Sequence, residues 1–326
     1  MKLCLERTMV RYSLCCSLLL LFLTVSGLGQ TELYFAQAIR GNSLNTTEIF
    51  VQNSDSTETD VTVRFIKSDG TLEESQEVTL QPNGGGKVRL GGPQLNSLSV
   101  GYAVVSAPGN VVATAFYFLQ ANGESLPPIG ILPETGSANW RTFAKIEPGA
   151  VNTGIAVAIP DAGLAPSAPN CQLNLYSGVN GTMVGSGPVD FCENEQLARF
   201  ITELIPEVKD GFEGPAVLSC DQPVVAAALI QESSGSLSTV AMEPSSGATE
   251  LYFAQAIRGN SLNTTEIFVQ NSDSTRIDVV VRFFKSDGTL EETQSKELRP
   301  NGGAKIKLGT PQLNSFSVGY AVVLST

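Results

Sequence analysis

The chain has 326 residues but no histidine, only one tryptophan and only 16% charged residues. Without histidine it lacks the commonest general base and metal ligand, and with them every Ser-His or Cys-His nucleophile pair. Carboxylate, lysine or tyrosine chemistry is all that stays open to an enzyme. No Lys/Arg cluster forms a stripe along which phosphates could lie, and the formal net charge is −12, so nucleic acid is excluded as a partner. Gly-x-Ser-x-Gly, phosphate-loop, Cys-x-x-Cys and dinucleotide fingerprints are missing as well. These absences predict a non-catalytic protein with no catalytic residue, no cofactor and no metal site.

Hydrophobic residues make up 42% of the chain, enough for buried cores. Val, Thr, Ser, Gly and Asn recur throughout, a mixture that suits strands joined by tight turns. The length calls for two or three domains. The acidic balance fits a soluble, self-repelling secreted protein.

Residues 1–30 read as a secretory signal peptide. Lys2, Arg7 and Arg11 precede an almost wholly apolar run from Ser13 to Gly27, and Gly27 and Gly29 lie just before a polar segment. The run is shorter than the roughly 20 residues that span a bilayer, although an uncleaved anchor is the alternative. Loss of this segment leaves Cys171, Cys192 and Cys220. In an oxidising compartment three cysteines imply one disulfide and one thiol. Cys171 and Cys192 flank a predicted hairpin and are the favoured pair, with three separate thiols as the alternative.

The strongest signal is a repeat. Residues 31–105 recur at 249–323 with 14 differences over 75 positions. A diverged copy lies between them. Asn152-Thr-Gly-Ile echoes Asn45-Thr-Thr-Glu, the segment from Cys171 echoes Asp60–Ser68, and Gly214–Ala226 echoes Gly101–Ala113. The chain is therefore read as signal peptide (1–30), unit 1 (31–135), diverged unit 2 (140–245) and incomplete unit 3 (249–326), with linkers near 133–141 and 243–249. Each full unit spans about 110 residues, the size of an immunoglobulin-like sandwich.

Alternation places Val61, Val63 and Phe65 on one face of a strand and Asp60, Thr62, Arg64 and Ile66 on the other. Unit 3 keeps Val279, Val281 and Phe283 on the first face but changes the second to Val280 and Phe284, so the first is the core face. Val78 becomes Lys296, which argues against a core role for Val78. Strands are predicted at 33–39, 47–53, 59–67, 72–80, 86–90, 98–105 and 111–119. Turns fall at Lys67-Ser-Asp-Gly and Pro82-Asn-Gly-Gly, and a hairpin is predicted around Ala107-Pro-Gly-Asn. Only Glu195–Ile205 has helical spacing. The predicted class is all-β, as tandem immunoglobulin-like β-sandwich domains.

The patterns LYF-A, NTTEIFVQNS, VRF-KSDG and PNGG, with QLARFITELIP and QPVVAAAL in the middle unit, resemble uncharacterised secreted β-sandwich repeat proteins of acidobacteria and related soil bacteria. The resemblance covers residues 31–326. It implies a fold and an extracellular setting and supplies no functional residues.

Unit 3 ends after the counterpart of Val105 and lacks a counterpart of 111–119. The preferred reading is a piece of a longer sequence. The other is strand donation from another chain.

Candidate sites have plainer readings. Leu132-Pro-Glu-Thr-Gly136 spells a sortase pentapeptide but lies between two units, where it reads as a linker. Asn53–Asp60 is rich in oxygen ligands, yet unit 3 places Arg276 inside the same stretch, so a solvated turn is expected. Asn45, Asn180 and Asn263 head glycosylation sequons, which indicate surface turns at most. Glu73-Glu74 reads as an exposed pair. Tyr34, Tyr102, Tyr117 and Trp140 could form a platform for sugar rings, with Tyr117 and Trp140 as the ligand contacts to test.

The sequence thus predicts an extracellular structural or adhesive repeat protein, secreted or at the cell surface. A carbohydrate-binding accessory module is the alternative. The partners in view are an extracellular glycan or protein, and a membrane only through an uncleaved signal.

Overall fold

A computed structural model describes residues 31–326, apart from 43, 122, 161–167, 193, 245–246, 261–262, 311–312 and 314. The proposed signal peptide lies outside the described residues. Strands make up nearly all the regular structure, so the chain is all-β.

Unit 1 contains β1 (Thr31–Arg40), β2 (Thr46–Asn53), β3 (Thr59–Lys67), β4 (Leu72–Leu80), β5 (Gly85–Arg89), β6 (Ser99–Ala107) and β7 (Val111–Phe118). Two short pieces, β8 (Gln120–Ala121) and β9 (Glu124–Ser125), precede β10 (Ile129–Ile131). One sheet runs β1-β6-β3-β4 and the other β10-β7-β2-β5. Their inner faces meet in one core, where Phe35, Ile49, Val61, Val63, Phe65, Ala103, Val105, Ala115 and Tyr117 are buried. The two-residue rhythm produces this directly. In β3, residues 59, 61, 63 and 65 are buried and the alternate positions are not.

The last hairpin expected from the sequence does not form. β6 already has β1 on one edge and β3 on the other. The chain therefore turns a corner at Pro108–Asn110, and β7 joins the opposite sheet beside β2 and β10. In a constant-type immunoglobulin domain the first strand lies beside the second and the last beside the sixth. Here those two strands have exchanged sheets.

Unit 2 contains β11 (Ser137–Ile146), β12 (Val151–Ala158), β13 (Cys171–Ser177), β14 (Thr182–Val189), β15 (Gln196–Phe200), the helical turn α1 (Ile201–Leu204) and a 3₁₀ turn at Pro206–Val208. β16 (Phe212–Glu232), β17 (Leu237–Val240) and β18 (Glu243–Pro244) complete it. β16 is continuous across the corner that separates β6 from β7. Its first half pairs with β11 and β13, its second with β12 and β17. Leu173, Leu175, Ala216 and Leu218 fill the core beside Trp140, which is fully buried.

Two sequence expectations change here. The helical spacing at Glu195–Ile205 resolves into β15, laddered onto β12, followed by one helical turn whose Glu203 accepts the Phe200 N–H. Part of each expected linker is strand, 137–141 within β11 and 243–244 as β18. Trp140 faces Pro244 and Arg141 faces Glu243 across β11 and β18.

Unit 3 contains β19 (Glu250–Arg258), β20 (Glu266–Gln270), β21 (Ile277–Lys285), β22 (Leu290–Leu298), β23 (Gly303–Lys307) and β24 (Ser317–Ser325). One sheet, β19-β24-β21-β22, repeats the first sheet of unit 1. Among the described residues the other holds β20 and β23. Val279, Val281 and Phe283 are buried as in unit 1.

Val78 proves to be partly buried against the rim of the unit 1 core. Gly86 faces it, and a Cβ there would lie 2.8 Å from Leu80 Cδ2 and 3.3 Å from Val78 Cγ2. Unit 3 changes both positions, to Lys296 and Ala304. The methyl group enters where the valine has left.

Candidate functional site

Among the described residues a disulfide joins Cys171 to Cys220, not to Cys192. Cys171 and Cys220 are directly opposite on β13 and β16, with Cα atoms 4.1 Å apart. The hairpin partner of Cys171 on β14 is Val189, and Cys192 lies beyond the end of that strand. The sequence missed the pair because β16 arrives next to β13 from 49 residues away.

Neither aromatic proposed as a ligand contact reaches solvent. Tyr117 is 1% exposed and Trp140 0%. The Tyr117 hydroxyl donates to the Gln37 carbonyl, and burial pushes its ionisation well above the ordinary tyrosine range. Trp140 Nε1 donates to the carbonyls of Ser137 and Val224 at 2.9 and 3.0 Å. Both side chains are core anchors with satisfied polar tips.

The other candidates are engaged internally as well. Asn53 is buried, donates from Nδ2 to Thr57 and Leu80 carbonyls and accepts the Asp55 N–H at Oδ1. Asp55 in turn accepts from Asn110, and Asp60 from Thr79. The oxygens of this loop hold its own turns together. Asn45 accepts the Gln120 N–H, whereas Asn180 and Asn263 are exposed. Glu73 and Glu74 are not simply exposed. Arg40 Nε donates to Glu74 at 2.5 Å and its Nη1 approaches Glu73 at 3.5 Å. Arg258 repeats this with Glu292 and Glu291. Among the described residues, no three His, Cys, Asp or Glu side chains cluster as metal ligands would.

The structure brings together a different set of residues. Tyr34, Ala36, Tyr102 and Val104, on the outer face of the first sheet, are buried against Ala156, Ala158 and Val225 of unit 2. Small alanines on β12, β15 and β16 let the two sheets approach, and the tyrosines fill the gap. Polar contacts ring this patch. The Tyr102 hydroxyl donates to Glu195 at 3.0 Å, the Glu195 N–H to the Ser68 carbonyl at 2.7 Å, and Gln196 Nε2 to the Ala36 carbonyl at 3.3 Å. Tyr34 and Glu134 exchange two backbone hydrogen bonds. Glu134, the acid of the Leu-Pro-Glu-Thr-Gly segment, is thus part of the joint. Burial first, and then the nearby Glu243 carboxylate, raises its pKa to about 7.

The opposite side of unit 2 holds unit 3. Phe143 and Phe268 rings lie 4.4 Å apart, Lys305 pairs with Glu213 at 2.6 Å, and Arg141 donates to Asn301 at 3.2 Å. Backbone bonds run from Arg299 N to Val179 O and from Gly303 N to Gly178 O. The repeated units therefore use two different surfaces on the same middle unit.

The face that unit 1 buries is open in unit 3. Tyr252 is 66% exposed, against 5% for its counterpart Tyr34. Phe284 and Tyr320 stack beside it with centroids 5.0 Å apart. Sequence reasoning singled out Tyr34 and Tyr102, the covered counterparts of Tyr252 and Tyr320, and had no means of telling which copy was open. Elsewhere, an open depression of about 360 Å³ is lined by Glu147, Asn152, Thr202, Lys209 and Glu232. It holds one cation and two acids.

No family model matches the chain, and no curated protein matches it. Among solved structures, one titled "Biofilm associated protein - BSP domain" aligns over 87% of this chain and 76% of its own, at 10% identity and a TM-score of 0.18. A superposition that loose carries neither a fold nor a role across. Among the described residues no helix is long and apolar enough to cross a membrane.

Proposed function

We propose that this chain is a non-catalytic extracellular structural or adhesive repeat protein, an array of immunoglobulin-like sandwiches with exchanged first and last strands. The observation that carries this reading is the joint between units 1 and 2. An apolar patch of two tyrosines against three small side chains, ringed by backbone and side-chain hydrogen bonds, fixes the angle between two sandwiches. Relative motion is the default for domains joined by small polar interfaces, and an apolar one removes it. A protein that must transmit force or hold a distance needs such joints. Export through the N-terminal segment agrees with the disulfide, which belongs to oxidising compartments.

Intact producing cells, labelled with an impermeant reagent and compared with a deletion strain in a surface-attachment assay, test the proposal. Labelled protein and reduced attachment support it. Protein found only inside the cell contradicts it.

A second reading, a carbohydrate-binding accessory module, is favoured by the open aromatic face of Tyr252, Phe284 and Tyr320. Such rings can stack on sugar faces. A glycan array separates the two: binding that Tyr252→Ala and Tyr320→Ala both abolish selects this reading.

A further inference from the structure

The open depression of about 360 Å³ on unit 2 lies where three segments meet. The turn 147–150 between β11 and β12 forms one wall. Gln231, Glu232 and Ser233 at the end of β16 form a second, and Thr202 of α1 with Lys209 a third. Backbone bonds tie the first two walls together. Ala150 N donates to the Glu147 carbonyl at 2.9 Å, and Ser233 N to the Ala150 carbonyl at 2.8 Å. Asn152 and Gln231 are directly opposite on β12 and β16, so their amides share one face. Among the described residues, α1 and the 3₁₀ turn, which bring in Thr202 and Lys209, have no counterpart between β5 and β6 of unit 1. The depression is therefore built by the unit that has diverged. Its volume stands at the low end of the roughly 300–1,000 Å³ that holds small molecules.

We propose that this depression binds a small zwitterion, an ammonium and a carboxylate a few bonds apart, as in a free amino acid or a short peptide. The charges on its walls carry the inference. Glu147 is already paired with Lys145 at 2.9 Å, whereas among the described residues neither Lys209 nor Glu232 is in a salt bridge. One cation and one anion thus line the same hollow with no ion-pair partner of their own. Lys209 takes the ligand carboxylate and Glu232 its ammonium. Hydrogen-bonding groups stand between them. Asn152 Nδ2 donates to the Thr202 hydroxyl at 2.9 Å, which leaves the hydroxyl proton free to donate. Asn152 Oδ1 is buried and accepts no hydrogen bond. Such an oxygen calls for a donor, and the depression it lines is open to one. None of the lining side chains is aromatic, so a sugar ring finds nothing here to stack on. This inference goes beyond the structural role of the array and does not depend on it.

The experiment titrates glycylglycine, and glycine in parallel, into the purified chain and follows backbone amide shifts. Saturable shifts are expected at residues 147–152, 202, 209 and 231–233, and they should weaken as salt is added. Whichever probe saturates at the lower concentration tells a peptide from a free amino acid. N-acetylglycylglycine amide, which carries no charge, should bind at least about threefold more weakly, as should glycylglycine to Lys209→Ala or Glu232→Gln. Both side chains are exposed, so these variants should melt like the parent. Lys296→Ala, exposed on unit 3 and outside the depression, should bind like the parent. No saturable shift with either probe overturns the proposal, and so does equal binding by the uncharged peptide or by the Lys209 and Glu232 variants.

Discussion

The Tyr102 hydroxyl of unit 1 reaches 3.0 Å to the Glu195 carboxylate of unit 2, beside the turn that ends at Gly70. Gly70 has φ +83°, and a Cβ on it would lie 2.4 Å from the Glu195 carboxyl carbon. Gly288 holds the same place in unit 3 with φ +85° and nothing within 4 Å of its Cβ position. Alanine at either site is strained by about 1 kcal/mol through its left-handed backbone. Gly70→Ala must also displace Glu195. Denaturant melts should therefore show a larger loss for Gly70→Ala than for Gly288→Ala. Equal losses would mean that the turn takes no part in the joint.

The Cys171–Cys220 bond closes a separation of 49 residues. Chain entropy gives such a cross-link about 4 kcal/mol, and measured values commonly fall at 2–4. The double variant Cys171→Ser/Cys220→Ser should lose stability in that range by thermal melting. Cys192→Ser should melt like the parent. Peptide mapping without reductant should return a 171–220 cross-link, and a 171–192 cross-link contradicts the assignment.

Glu134 should make stability fall as pH rises. Its folded pKa of about 7 lies above the ordinary value of 4.5, so between these the folded state keeps a proton that the unfolded chain has released. Stability is then lost with rising pH across that window. Glu134→Gln should melt higher than the parent at pH 8 and close to it at pH 4. A variant that melts lower at pH 8 would show that the charged form is favoured in the joint.

Val78 and Gly86 should be coupled. Gly86→Ala alone forces a methyl against Leu80 and Val78 and should destabilise by about 1–3 kcal/mol, as overpacking does. In a Val78→Lys background the added loss should shrink by at least about 0.5 kcal/mol. Additive losses in a double-mutant cycle would mean that the paired change in unit 3 is not compensatory.

Much of this architecture was legible because unit 1 was written twice. The alternation of Val61, Val63 and Phe65, kept in Val279, Val281 and Phe283, located the core face and most strand limits. The corner at Pro108–Asn110 was not legible. A Pro-Gly-Asn turn looks the same whether the chain returns beside β6 or crosses to the other sheet, and only the occupied edges of β6 decide. The disulfide failed for a similar reason: spacing reports near neighbours, and β16 is a distant one. Tyr117 and Trp140 were misread because alternation marks a face without saying whether it meets water. The joint itself was hidden in Ala156, Ala158 and Val225 and in Tyr34 and Tyr102, whose role depends on the neighbouring unit.

Units 1 and 2 are held together through Tyr34, Tyr102, Ala156 and Ala158. Native-state hydrogen exchange at the Glu195 amide tests it most directly, because that N–H donates across the joint to Ser68. In the parent this amide should be strongly protected. Ala156→Asp should speed its exchange at least about tenfold and leave the Val63 amide, inside the unit 1 core, unchanged. A Glu195 amide that already exchanges in the parent as fast as an open loop would mean that the two units are not joined there.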